Sequence, residues 1–145
     1  MAIQRNNPYA AFNFLVELDG MAIGGFSEVS GLSHEIGVIE YREGGDRRNA
    51  VRKLPGLHKV GNITLKRGIT GTLELYQWLK DVRDGNVSRR NLSIQLLPED
   101  KSGAAMRWLL RDCFPVKLVH GPLNAKSNEV AVEELVLAVE AFEIE

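Results

Sequence analysis

One cysteine, Cys113, is all the chain contains. No internal disulfide can form, so the fold must hold without covalent staples, which suits a reducing compartment. Neither sign of charge is in excess. The formal net charge of −1 at pH 7 removes any global pull toward nucleic acid or an anionic membrane surface. No stretch approaches the ~18 consecutive apolar residues of a membrane span. The opening MAIQRNNPYAAF also lacks the apolar run of a secretory signal. The chain is therefore expected to be made in the cytoplasm and not to insert directly into a membrane. If it works outside a cell, it is expected to leave by a route other than general secretion.

Spacings that carry chemistry are missing too. His34, His58 and His120 stand far apart, in neither HxxxH nor HExxH register, and Cys113 has no CxxC partner. Ser30-Gly31 and Ser102-Gly103 are not G-x-S-x-G elbows. Cys113 with His120 is the one conceivable nucleophile and base. However, Cys113 leads into Phe114-Pro115 in an apolar stretch, where a thiol is usually buried and inert. GMAIGG and GITGTLE are neither a Walker A loop nor a dinucleotide fingerprint, and the second has no lysine to reach a phosphate. The expectation is no enzyme, no cofactor and no metal.

What is present reads as one domain over residues 1–145. The chain is 44% apolar and 26% charged, long enough to bury a core of its own. Residues 1–10 read as a polar N-terminal arm. Strands are predicted at Ala11–Leu18, Met21–Val29, Ser33–Tyr41, Asn62–Arg67 and Asn91–Leu97. Asp19-Gly20 marks a hairpin turn, and Gly24-Gly25 a bulge or bend. Thr72 to Asp84 is the one convincing helix, with Thr72 as N-cap, Gly85 at C′ and an apolar face of Leu73, Tyr76, Leu79 and Val82, with Leu75 and Trp78 beside it. Residues 98–103 form a turn. The pattern at Met106–Asp112 does not separate strand from helical turn, and Pro115 and Gly121-Pro122 are expected to break the chain. Val130–Ile144 is a last long strand with a kink. Six to eight strands and one helix make the fold class mainly β, a β-barrel or sandwich with one packed helix.

Between Arg42 and Asn62 the sequence shows no period, and Gly44-Gly45 and Pro55-Gly56 interrupt it. Residues 42–60 are read as a long loop, of the length usually kept for function. From Glu43 to Lys59 five basic residues, Arg47, Arg48, Arg52, Lys53 and Lys59, face two acids, Glu43 and Asp46, a net +3. Sequence-blind binding of a nucleic-acid strand would want aromatics among these charges, and only Tyr41 is near, so no specific nucleic-acid partner is expected. Residues 128–145 hold six glutamates and no Lys or Arg, a net −6. Basic loop and acidic strand together suggest unlike surfaces meeting between identical subunits. The last strand carries apolar residues at both parities, which implies burial on both faces, with the helix or a neighbouring subunit as the second cover. The subunit-interface candidates are Tyr41, Arg42, Glu43, Asp46, Arg47, Arg48, Arg52, Lys53 and Leu54 on the loop, with Glu133 and Glu134 on the strand. The rival reading is a small β-rich binding module that uses the basic 43–59 loop on an anionic partner.

NPYAAFNFLVELDG, GGFSEVSGL, IEYREGGD, RKLPGLHKVGNITLKRGIT, LYQWLKDV, FPVKLVHGPLNA and SNEVAVEEL, in that order, resemble the tail tube protein family of contractile-tailed phages. They are most similar to the inner-tube proteins of phage-derived contractile injection systems. Asn7, Cys113-Phe114-Pro115 and the final VEAFEIE depart from the family's pattern, and none touches catalysis. The resemblance implies a fold like the haemolysin-coregulated protein of type VI secretion. It also implies hexameric rings joined sheet edge to sheet edge and stacked into a hollow tube. A contractile sheath, baseplate and spike, and cap proteins would be the partners, with the lumen open to cargo or DNA. The loop from Tyr41 to Lys59 would reach a neighbouring subunit or ring.

Overall fold

A computed structural model describes residues 2–19, 21–22 and 25–145. Among the described residues ten strands and one helix follow in chain order: β1 (Phe14–Leu18), β2 (Met21–Ala22), β3 (Phe26–Ser30), β4 (His34–Tyr41), β5 (Arg52–Val60), β6 (Ile63–Gly68), α1 (Glu74–Arg83), β7 (Arg90–Leu96), β8 (Met106–His120), β9 (Val132–Ala138) and β10 (Ala141–Ile144). The architecture is mainly β with one helix, as expected. Gly20 of the anticipated turn and Gly24 of the anticipated bend lie outside the described residues. The chain changes partner between β2 and β3: β2 pairs with β1, whereas β3 pairs with β6.

One antiparallel sheet runs β2-β1-β7-β8-β9-β6-β3, and β10 pairs with β8. Strand β8 joins its two halves. Residues 106–113 pair with β7, residues 108–111 also with β10, and residues 114–120 with β9. The bend falls at Asp112, whose φ of 54° is tolerated by a short polar side chain. The Asn91 side-chain oxygen accepts the Asp112 N–H at 3.2 Å. Opposite it the last strand breaks at Val139–Glu140, so the predicted kink is real and divides β9 from β10. Bent in this way, the sheet packs on itself as a sandwich. Val16, Leu18, Leu92, Ile94, Leu110 and Phe142 from one half meet Ile63, Leu65, Leu135 and Leu137 from the other, with Leu75 and Trp78 of α1. Alternation explains the inward set on β6 and β9, where every second residue is buried.

Pro115 does not end β8. The strand passes through it with a register shift between Pro115 and Lys117, and a bulge is where a sheet accepts a residue with no N–H to donate. The reading of residues 42–60 as a loop is also corrected. Arg52–Val60 is a strand that pairs with β4 from Tyr41↔Arg52 to His34↔Val60. Only residues 42–51 form the connection. Within the single chain one face of β9 is fully covered: Leu135 and Leu137 are buried, while Val132, Val136 and Ala138 on the other stay half-buried.

The helix sits where it was expected, with a different cap and face. Leu73 takes the N-cap position without a side-chain hydrogen bond, and the Thr72 hydroxyl instead accepts from Arg67 Nη2 at 2.8 Å. Gly85, with φ of 94°, stands at C′. Its N–H reaches the Val82 carbonyl at 3.2 Å, and the Asn86 N–H reaches that of Asp81 at 2.8 Å, the two bonds of a Schellman closure. Leu73 and Tyr76 are exposed, whereas Leu75 and Trp78 are buried and Leu79 and Val82 half-buried. The true ridge is 75, 78, 79, 82, the i, i+3, i+4, i+7 stripe. Leu75→Ala should therefore cost about 2–5 kcal/mol and Leu73→Ala less than about 0.5 kcal/mol in a urea melt.

Candidate assembly surface

Strands β4 and β5 pair only with each other among the described residues. They form a hairpin that belongs to neither half of the sandwich. Its root is tightly made. Gly31 has φ of 91°, and a Cβ there would collide with the Asn62 carbonyl oxygen, so the chain can turn from β3 into the hairpin only with glycine. Beside the root, His34 Nδ1 lies 2.8 Å from His58 Nε2, and the His34 ring meets Phe142 edge-on. Two of the three histidines judged far apart in sequence are thus brought together across the hairpin. Among the described residues no group of three or more His, Cys, Asp or Glu is arranged to hold a metal.

Beyond the root the hairpin presents apolar side chains that its own subunit covers only in part. Ile36, Val38, Ile39, Leu54 and Leu57 are all exposed, Leu57 to 86%. A two-stranded hairpin is marginal in water, and contiguous exposed apolar surface marks an interaction site. Among the described residues the outer edges of β3 and β10 also lack strand partners.

The charged candidates divide into two groups. At the hairpin tip, Arg42 donates to the Arg48 carbonyl at 3.0 Å and to the Asn49 side chain at 3.3 Å. The Glu43 N–H is accepted by Asp46 at 3.0 Å. Arg52 lies 3.6 Å from Glu43 and 3.9 Å from Asp46, and its guanidinium sits over the Tyr41 ring. These groups shape the tip itself. Arg47, Arg48 and Lys53 have no ion-pair partner among the described residues.

The acidic strand is a correction. Glu133 is buried and meets Arg67 Nε at 2.6 Å, so it offers no charge to a neighbour. Glu140 pairs with Arg89, Glu143 with Arg111 and Glu145 with Arg107 at 3.5–3.7 Å. The net −6 of the segment is largely met inside the chain by arginines distant in sequence. Glu134 is half-buried at the Cα position opposite Lys66. Sequence reasoning missed Arg67, although its parity in Ile63, Leu65, Arg67 points it inward beside Glu133 in Glu133, Leu135, Leu137.

Other features support the scaffold. Arg5 binds Glu99 with two bonds of 2.7 Å and caps the Tyr9 ring, so the irregular N-terminal arm is fastened. Arg5 holds the Glu99 carboxyl down at about 2, against an ordinary 4.5. The fastening is thus complete above pH 4.5 and is lost as pH falls toward about 2. Cys113 is fully buried. Burial first, then Asp112 and Asp19, pushes its thiol up to about 12, which makes it a poor nucleophile.

The family model for the T4-like virus tail tube protein gp19 matches residues 10–143. No match was found among curated proteins. Among solved structures, a chain of the PVC extracellular contractile injection system sheath–tube complex in the extended state is 29% identical. The match covers 95% of this chain and 91% of that one, with a TM-score of 0.85. A chain of the anti-feeding prophage tube-terminating cap structure is 28% identical over 100% of this chain and 95% of that one, with a TM-score of 0.87. Hcp1 from Flavobacterium johnsoniae, at 15% identity, 90% and 93% coverage and a TM-score of 0.56, shares the fold alone. With all but its first nine and last two residues matched, the chain belongs to the T4-like virus tail tube protein family.

Proposed function

We propose that this chain builds the hollow inner tube of a contractile tail or contractile injection particle and has no catalytic role. Six copies close a ring by joining the open sheet edges of β3 and β10, and rings stack into a tube through which cargo or DNA passes. The β4–β5 hairpin carries this reading, because its exposed apolar residues gain full cover only from another copy. Edge-to-edge closure also removes unpaired strands that would otherwise recruit chains without limit. Sheath, baseplate and spike, and cap proteins are the partners. Synthesis and assembly take place in the cytoplasm, and the tube then forms part of the particle. The single-domain organisation over 1–145 suits a repeated building block. The interface residues are Tyr41, Arg42, Glu43, Asp46, Arg47, Arg48, Arg52, Lys53 and Leu54. Among them the first three, with Asp46 and Arg52, fix the tip's shape and the others contact the neighbour.

Negative-stain microscopy of the purified protein tests this. Six-fold rings and stacked tubes are expected at micromolar concentration. A chain that sediments as a monomer at every concentration, with no rings in the micrographs, would overturn it.

A further inference from the structure

The geometry points to the loop of residues 121–131 as the receptor for the hairpin tip of the next copy. The subunit would then carry plug and socket at opposite ends of the same strands. The inference rests on the tube reading above and names the contact within it.

Register places the two features. The hairpin joins the sheet through Ser30 and Ile63, where Ser30 pairs with Thr64 and Ile63 with Leu137. The 121–131 loop joins it at His120 and Val132, where His120 pairs with Glu133 and Val132 with Gly68. Ile63 and Gly68 are the two ends of β6, about 17 Å apart at a strand's rise of ~3.3 Å per residue. Different surfaces at opposite ends make a heterologous contact, which repeats in one direction.

The surfaces also match in charge. The loop borders an open concavity of about 540 Å³ whose lining includes Leu123, Asn124, Ala125, Ser127, Glu129 and Val130. Leu123 and Val130 are 83% and 78% exposed, so the subunit leaves them uncovered. Glu129 is the one charged residue in that lining and has no ion pair among the described residues; Lys126 is on the same loop outside the lining. At the tip, Arg42 and Arg52 are held internally, which leaves Arg47 and Arg48 as the outward cations, beside the exposed Val51. A concavity that holds one unpaired acid, with Leu123 and Val130 beside it, faces a polar tip that carries two outward bases, with Val51 beside them.

Cysteine cross-linking tests the pairing. Ala50, at the tip, and Ala125, in the concavity, are both exposed, and buried Cys113 gives no background. A chain carrying Ala50→Cys and Ala125→Cys together should oxidise within tubes to a ladder of multimers spaced by 16.1 kDa. A mixture of the two single variants should stop at a dimer. As a second reading, Glu129→Arg should shorten tubes, and Arg47→Glu with Arg48→Glu in the same chain should restore their length. Tubes that form normally but give no ladder, or a Glu129→Arg defect that the reversal does not rescue, would overturn the receptor and leave the tube reading standing. If the unaltered chain forms no rings, both fall together.

Discussion

Ile39→Asp combined with Leu54→Lys should abolish tube assembly while the subunit still folds. The two residues are cross-strand partners on the hairpin, and each is about half exposed in the single chain. Opposite charges placed directly across a strand pair remain compatible with it, so the hairpin keeps its register. Surface changes of this kind shift folding stability by about ±0.5 kcal/mol. At an interface the same changes forfeit burial worth about 1.5–3 kcal/mol per apolar side chain. They also ask two charges to leave water. Every subunit repeats the loss. Thermal melts should therefore coincide with the unaltered chain, and micrographs should show no tubes. Full-length tubes from the double variant would remove the hairpin from the assembly mechanism.

Glu133→Ala is expected to act in the opposite sense, on the fold. Its carboxylate and the Arg67 guanidinium are both shielded from water, with side chains 8% and 6% exposed. Removing one partner leaves a buried cation with the Thr72 hydroxyl and the face of the Phe26 ring, and breaking such pairs costs about 3–5 kcal/mol. That is a large share of the roughly 5–15 kcal/mol typical of a whole domain. Replacing both, Arg67→Met with Glu133→Leu, should recover most of the loss, because well-packed apolar residues often substitute for a buried ion pair without penalty. Urea melts of the two variants decide the matter. Equal, small losses would mean that water reaches the pair.

The correction at Glu133 shows why charge counting misled the search for an interface. Six glutamates without a neighbouring base look like a surface waiting for a partner. Folding brings Arg67, Arg89, Arg107 and Arg111 to four of them, from as far as 66 residues away in the chain. Strand β5 was hidden for a related reason. Alternation in a sequence records burial on one face, and RKLPGLHKV is mostly exposed within its own subunit, so no alternation was written into it.

By itself the sequence determined the mainly β class, most strand positions, the helix with its glycine stop, and the resemblance to tail tube proteins. These depend on local propensity, on alternation where one face is buried, and on the order of short motifs, all carried by residues near one another in the chain. Tertiary structure alone decided that 52–60 returns along 34–41 as a projecting hairpin. It also decided that β8 bends at Asp112 to serve both layers, that His34 meets His58, and that Glu133 is held by Arg67. Each of these is a matter of register between distant segments, and register is set by the packing of the whole core and not by any window of the chain.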